Sequence, residues 1–240
     1  MVDCIDSLKQ SDQMSTERHI QSVYNRLPNL NYLIDIGANH GWHTKEMLKI
    51  KSCTSLISIE ANPTIFKTIS RISDQRLKAI NAAVTPSSLK ESKEVSFKVK
   101  KEFHGRGGIE GLHIWKHITP EVNFDTITVQ SINFDNLLLD NFTEKVDFIK
   151  IDVEGAEYSL ILESEILFSN TKYRPIVVLE NSVFGLGLAN KTFKDLINFI
   201  ERNNLSLLDF NYNKIKTEKD LHNYNMVWIC PNEKIKDLTP

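Results

Sequence analysis

Cysteine, long apolar runs and an excess of either charge are all scarce in this chain, and each scarcity removes a class of protein. The cysteines are Cys4, Cys53 and Cys230, an odd number set far apart. They form neither a disulfide framework nor the close pairs of a metal site. No apolar run approaches the ~20 residues that a bilayer span requires. Met1–Asn29 is polar and mixed in charge, without the apolar core of a signal peptide. These absences point to a soluble, cytoplasmic protein with no membrane span. Lys and Arg number 29 against 31 Asp and Glu, a formal net charge of −2. No global basic field draws the chain to nucleic acid or to an anionic membrane, although a local patch is compatible with that balance. Repeats, low-complexity tracts and an interdomain linker are also missing.

What is present is an ordinary globular balance, 41% hydrophobic and 25% charged over 240 residues. That length suits one large domain or one domain with an extension. Apolar runs alternate with helical patterns, which predicts a doubly wound α/β fold: a mostly parallel sheet with helices on both faces. Strands are expected at Tyr32–Ile36, Leu56–Ile59, Leu77–Val84, Phe148–Ile151 and Ile176–Leu179, with a final pair at Leu205–Asp209 and Met226–Cys230. Val95–Val99 and Ile127–Ile132 alternate in period two and read as half-exposed strands. Helices are expected at Ser15–Leu27, at Thr44–Ile50, after Pro63, at Asn136–Leu139 with Asp135 as cap, from Tyr158–Leu162, and at the amphipathic Phe193–Ile200. The organisation is then a helical extension over 1–30 and one domain over 31–240. The stretch from Lys100 to Asp125 fits no element. It mixes Gly105, Gly107, Gly108 and Gly111 with His104, Arg106, His113, Trp115 and His117. Glycine-bearing loops of this length in compact domains commonly serve as lids, so a lid-like insertion is expected at about 100–125.

The chemistry gathers where strands end. Asp35-Ile36-Gly37-Ala38-Asn39-His40-Gly41 follows one strand and precedes a helix, the place where open α/β sheets bind ligands. A dinucleotide fingerprint starting at Gly37 needs glycine again at 39 and 42, but the chain has Asn39 and Trp42. A side chain thus stands where backbone must approach a pyrophosphate, which disfavours an oxidoreductase and suits a ligand without phosphates. S-adenosylmethionine is such a ligand. Gly37 and Gly41 allow a tight turn and close approach, and Asp35 can meet the donor's ammonium, directly or through water. Glu60, 23 positions after Gly37, ends the next strand and can accept two ribose hydroxyls. Asn81-Ala82-Ala83 ends the third, with small residues that leave room for adenine and an amide for hydrogen bonds. Asp35, Gly37, Asn39, Gly41, Glu60, Asn81, Ala82 and Asp152 form the expected cofactor set.

Lys150-Ile151-Asp152-Val153-Glu154-Gly155-Ala156-Glu157 again turns a strand into a helix, and Glu180-Asn181 ends the following strand. Methyl transfer from a sulfonium is an in-line displacement, and a hydroxyl nucleophile needs help to lose its proton. Three sources are open. Asp152 or Glu154 can act as base, with Glu180 as a further acidic candidate that can also bind acceptor hydroxyls. A histidine of the insertion, His104 or His113, can do so. Or a divalent cation, magnesium by donor type, can be held by Asp152, Glu180 and Asn181. Glu157 falls on the first helical turn and complements its dipole. His40 and His43 flank the first turn, Arg106 can pair with an acidic substrate group, and Trp115 can stack on a sugar face.

Taken in order, Asp35-Ile36-Gly37-Ala38-Asn39 with Gly41, Glu60-Ala61-Asn62-Pro63, Lys150 to Glu157, and Glu180 resemble the FkbM-type methyltransferase family from about Tyr32 to Asn181. The resemblance implies a seven-stranded sheet with an antiparallel hairpin at one edge. It also implies O-methylation, often of sugar or natural-product hydroxyls. Gly105–Gly111 occupies the family's variable glycine- and serine-containing stretch but has no serine, and a histidine found at the helix start in some relatives is Ala156 here. The expected function is O-methylation of a small-molecule, sugar or glycan hydroxyl, with no nucleic-acid partner. The rivals are a nucleic-acid methyltransferase and a ligand-binding or scaffold protein of the same fold that lacks turnover.

Overall fold

The computed structural model describes residues 24, 27, 29–89, 92–100, 107–114, 123–142, 145–169 and 171–238. Most of the expected helix Ser15–Leu27 lies outside these residues, as do His104, Gly105, Arg106, Trp115 and His117. Within them the chain runs β1 (Tyr32–Ile36), α1 (Trp42–Leu48), β2 (Ser55–Ile59), α2 (Pro63–Ile69), β3 (Leu77–Ile80), β4 (Ala83–Thr85), β5 (Glu94–Lys100), β6 (Gly107–Ile109) and β7 (Phe124–Asn133). It continues through α3 (Phe134–Asn141), β8 (Phe148–Ile151), α4 (Glu157–Leu162), β9 (Ile176–Glu180), α5 (Gly185–Leu188), α6 (Phe193–Arg202), β10 (Leu205–Leu208), α7 (Glu218–Leu221), β11 (Met226–Pro231) and α8 (Ile235–Leu238). No helix among the described residues is long and apolar enough to cross a membrane.

The main sheet has seven strands in the order β10-β11-β9-β8-β1-β2-β3. Its five inner-to-edge strands β9, β8, β1, β2 and β3 are parallel, while β11 and β10 form the antiparallel hairpin at the other edge. Strand residues alternate between two apolar layers. Ile34, Ile36, Ile57, Ile59, Ile149 and Ile151 enter one core with Phe134, Tyr158 and Leu196. Leu33, Leu56, Phe148 and Val178 enter the other, with Met47 and Trp228. Burial on both faces explains why these strands read as continuous apolar runs. Each fully buried Leu or Ile contributes about 1.5–3 kcal/mol.

Helix ends carry local signals. Asn62 caps α2 through Thr64 N–H with Pro63 behind it, and Thr192 and Asp195 form a capping box on α6. Asp135 is not the cap of its helix. Asn133 accepts the Asp135 and Asn136 amides instead, so α3 starts earlier than expected. The Asp135 carboxylate accepts from the Ser87 and Ser164 hydroxyls and from Glu165 N–H, tying three segments together.

Two further expectations are corrected. Leu77–Val84 is not one strand. It breaks at Asn81-Ala82 into β3, which closes the main sheet, and β4, which belongs to a second sheet ordered β4-β7-β5-β6. Nor is the 100–125 stretch without an element of its own. Gly107–Ile109 is a strand paired antiparallel to β5, and Ile109 and Ile114 are buried. Phe97, Val99, Ile109 and Val129 pack with Ala83 into a small third core. The second sheet is thereby fixed against the carboxyl ends of the first.

Candidate active site

Strand order reverses between β1 and β8, since β1 continues to β2 on one side and meets β8 on the other. Ligand crevices form at such points, outside the carboxyl ends of the strands. Here the crevice is a cleft at the carboxyl ends of β1, β2, β8 and β9. The turns after β1 and β2 contribute Gly37, Asn39, Glu60 and Asn62, and Ala82 with Ala83 and Val84 of β4 adds a third side. Asp152, Val153 and Glu154 follow β8, Glu180 ends β9, and the second sheet adds Phe97, Gly107 and Ile109.

Packing at the bottom is tight. Gly37 has φ +73°, and a Cβ there would lie 1.7 Å from the Asp152 carbonyl oxygen. Only glycine lets the two turns approach this closely. Glu60 is buried, and its two oxygens accept the Asn39 and Asn62 amides at 2.9 and 2.8 Å. Burial raises its carboxyl above the ordinary range, and the two amides oppose the rise. A carboxylate offers about four acceptor positions, so both oxygens keep capacity toward the cleft.

Lys150, to which the sequence reading gave no role, joins the two halves of the switch point. Parallel register places it beside Asp35 on the neighbouring strand. Its Nζ donates to the Gly37 carbonyl at 2.8 Å and lies 3.5 Å from Asp35 and 3.3 Å from Asp152. Burial lowers its pKa, but Asp152 and Asp35 more than offset this and hold the ammonium above its ordinary value. The signal was a lysine between two isoleucines of an apolar strand: a cation buried there needs anions beside it.

Four expected cofactor or metal residues sit behind the cleft wall. Asp35 is fully buried, with Thr44 Oγ1 donating to it at 2.7 Å and Lys150 alongside. It braces Lys150 where an ammonium of the donor was expected. Gly41, at φ +78°, turns the chain into α1. Asn81 donates to the Glu60 and Ala61 carbonyls and braces that turn. Asn181 is 5% exposed, accepts from the Tyr158 hydroxyl at 2.5 Å and donates to the Leu221 and Tyr224 carbonyls. The magnesium set expected on Asp152, Glu180 and Asn181 is therefore not assembled. Glu154 joins the other two acids instead, with one oxygen of each residue within 4.8 Å of the others. Burial, then repulsion by Glu154, Asp152 and Glu157, raises the Glu180 carboxyl well above its usual range.

The expected histidines that the structure describes do not line the cleft. His43 meets the Tyr24 hydroxyl at 3.1 Å, and burial with nearby Lys150 lowers its pKa to about 3. His40 is exposed. His113 is buried and its ring tilts against Phe124. His104 lies outside the described residues.

The Methyltransferase FkbM domain profile matches residues 35–207, more than two thirds of the chain and all of the switch-point turns. The chain belongs to the FkbM methyltransferase family. It is thus an S-adenosylmethionine-dependent enzyme. Among solved structures, this FkbM methyltransferase is similar to the plantazolicin methyltransferase BamL in complex with a triazolic desmethylPZN analog and SAH. Identity is 11% over 90% of this chain and 84% of that one, with a TM-score of 0.44. It is also similar to the methyltransferase domain of bacterial CtHen1-C, at 14% identity over 92% and 96% of the two chains and a TM-score of 0.43. Spermidine synthase from Thermotoga maritima is a third, at 14% identity over 89% and 58%, with a TM-score of 0.44. No curated protein matches the sequence.

The residues present fit the methyl donor by their chemistry. The cleft wall contains Glu60, Asp152, Glu154 and Glu180 and, among the described residues, no Lys, Arg or His. An anionic wall suits a ligand bearing a sulfonium and an ammonium, and opposes one bearing phosphates.

Proposed function

We propose that this FkbM methyltransferase transfers a methyl group to a hydroxyl of a small molecule, sugar or glycan. The observation that carries this reading is the acidic lining just described: Glu60, Asp152, Glu154 and Glu180 around one cleft. Carboxylates accept hydrogen bonds from neutral hydroxyls and repel the phosphates of a nucleic acid. The N-terminal 1–30 is read as an extension and 31–240 as the catalytic domain, with a lid-like insertion at about 100–125. The buried thiols of Cys53 and Cys230 agree with a cytoplasmic setting.

S-adenosylmethionine, when bound, supplies an electrophilic methyl on a positively charged sulfur. Glu60 holds the ribose hydroxyls through its remaining acceptor positions, and Gly37 and Asn39 line the approach. Ala82 leaves room for the flat base. Asp152, kept beside the Lys150 ammonium, and Glu154 orient the acceptor. Glu180, in its ionised form, takes the hydroxyl proton, and its raised carboxyl pKa favours that uptake.

The test is transfer of a labelled methyl to a panel of methyl glycosides and inositols, with an RNA digest in parallel. Label on a hydroxyl, lost in Glu180→Gln, is the expected result. Label on RNA alone would contradict the reading.

A further inference from the structure

The Asp152–Gly155 turn holds a backbone shape that its residues do not favour. Glu154 has φ +61° and Gly155 φ +137°. A left-handed conformation costs a non-glycine residue about 1–2 kcal/mol, so it persists only when neighbours over-determine it. They do so from two sides. The Glu157 carboxylate, 3% exposed, accepts Val153 N–H at 2.8 Å and Gly155 N–H at 2.9 and 3.1 Å. From the insertion, Ile114 N–H donates to the Glu154 carbonyl at 2.8 Å. Gly155 is packed beneath the same segment, and a Cβ there would lie 2.0 Å from the Leu112 carbonyl oxygen. The amides on both sides of Glu154 and its own carbonyl are thus tied down, and its side chain is held in the cluster with Asp152 and Glu180.

We propose that Glu157 is a positioning residue for methyl transfer: its buried carboxylate clamps the Val153 and Gly155 amides so that Glu154 is presented to the acceptor. This rests on the reading that Asp152, Glu154 and Glu180 meet the acceptor. Glu157 does not line the cleft. A carboxylate is required because the clamp only accepts hydrogen bonds. A carboxamide would turn an N–H₂ donor toward one of the amides. Stability alone does not account for a charge at this depth, since burial opposes it and raises the carboxyl pKa to about 7 against the pull of the Val153 and Gly155 amides.

The test compares Glu157→Gln, Glu157→Asp, Glu154→Gln and the Glu154→Gln/Glu157→Gln double variant. Each is assayed on the methyl glycoside panel, with S-adenosylhomocysteine affinity measured by calorimetry. Glu157→Gln is expected to lower kcat about 10–100-fold, the usual effect of losing a group that orients a functional ligand. S-adenosylhomocysteine affinity stays near wild type, Glu157→Asp recovers part of kcat, and the loss disappears in the Glu154→Gln background. Losses that multiply in the double variant, or full kcat in folded Glu157→Gln, would overturn the proposal. Should Glu157→Gln fail to fold, amide hydrogen exchange in the wild type decides. Slow exchange at Val153 and Gly155 supports the clamp, and exchange at the rate of open loops overturns it. Full transfer by both Glu154→Gln and Glu180→Gln would overturn the acceptor-side reading, and the proposal with it. Full transfer by Glu157→Gln alone overturns only the proposal.

Discussion

Lys150 and Asp35 face each other across adjacent parallel strands, 3.5 Å apart and almost wholly out of solvent. A buried pair of this kind contributes little net stability as a pair, but removing one member strands the other. Lys150→Met is expected to destabilise the fold by about 3–5 kcal/mol in chemical denaturation. The Lys150→Met/Asp35→Leu double variant should recover part of that loss. If the single variant matched wild type, the ammonium would not be neutralising Asp35.

Glu60 supports two turns and faces the cleft at once. Glu60→Ala should weaken S-adenosylhomocysteine binding by about 1–3 kcal/mol, the scale of hydrogen bonds lost to a charged group. It should also lower Tm, because the Asn39 and Asn62 amides lose their acceptor. Calorimetry and thermal melts separate the two effects. Unchanged affinity with a lowered Tm would make Glu60 a purely structural brace.

The pH dependence of stability has two opposed parts. His43 has its pKa lowered from 6.5 to about 3, chiefly by burial. Above 6.5 it is neutral in folded and unfolded chains alike. As pH falls from 6.5 toward 3 the unfolded chain takes up the proton and the folded chain does not, so stability is lost on the acid side. Glu157 is raised from 4.5 to about 7, again by burial. Its contribution is present below 4.5 and is lost as pH rises through 7. Thermal melts across pH 4–8 are expected to show a shallow maximum inside that window. His43→Phe should flatten its acid side and leave the alkaline side in place. An unchanged acid side would remove His43 as its source.

The activity profile tests Glu180. A base must be ionised, and the raised Glu180 carboxyl places its loss of function above the ordinary carboxyl range. The acid limb of kcat against pH should therefore lie above 4.5. It reports an apparent value for the whole cluster, because Glu154 and Asp152 repel the same charge. Glu180→Gln should lower kcat by about 10²–10⁴, the scale of general base catalysis. An acid limb at the ordinary carboxyl pKa, unmoved in Glu180→Gln, would transfer the role elsewhere.

Much of this arrangement is legible in the sequence. Tyr32–Ile36 and Phe148–Ile151 were delimited to the residue, because strands buried on both faces announce themselves as apolar runs bounded by polar turns. The same cue fails at Leu77–Val84, where a run broken only by Lys78 and Asn81 hides a change of sheet at Asn81-Ala82. It fails again at Gly107–Ile109, since three residues, two of them glycine, carry too little pattern to read as a strand. In the site, Gly37, Asn39, Glu60, Ala82, Asp152, Glu154 and Glu180 line the cleft. Asp35 and Asn181 occupy equally suggestive strand ends but turn away. Which way a strand-end side chain turns depends on a partner distant in sequence: Lys150 for Asp35, and Tyr158 with Leu221 and Tyr224 for Asn181. Residue type and spacing do not contain that information.

The central claim is methyl transfer from S-adenosylmethionine to a hydroxyl. The most direct measurement incubates the purified chain with deuterium-labelled methyl donor and cell extract, followed by mass spectrometry of small-molecule, glycan and RNA fractions. The account predicts a labelled methyl on an oxygen of a small-molecule or glycan product, absent with Glu180→Gln. Label recovered on RNA, or on nitrogen, and retained in that variant, would contradict it.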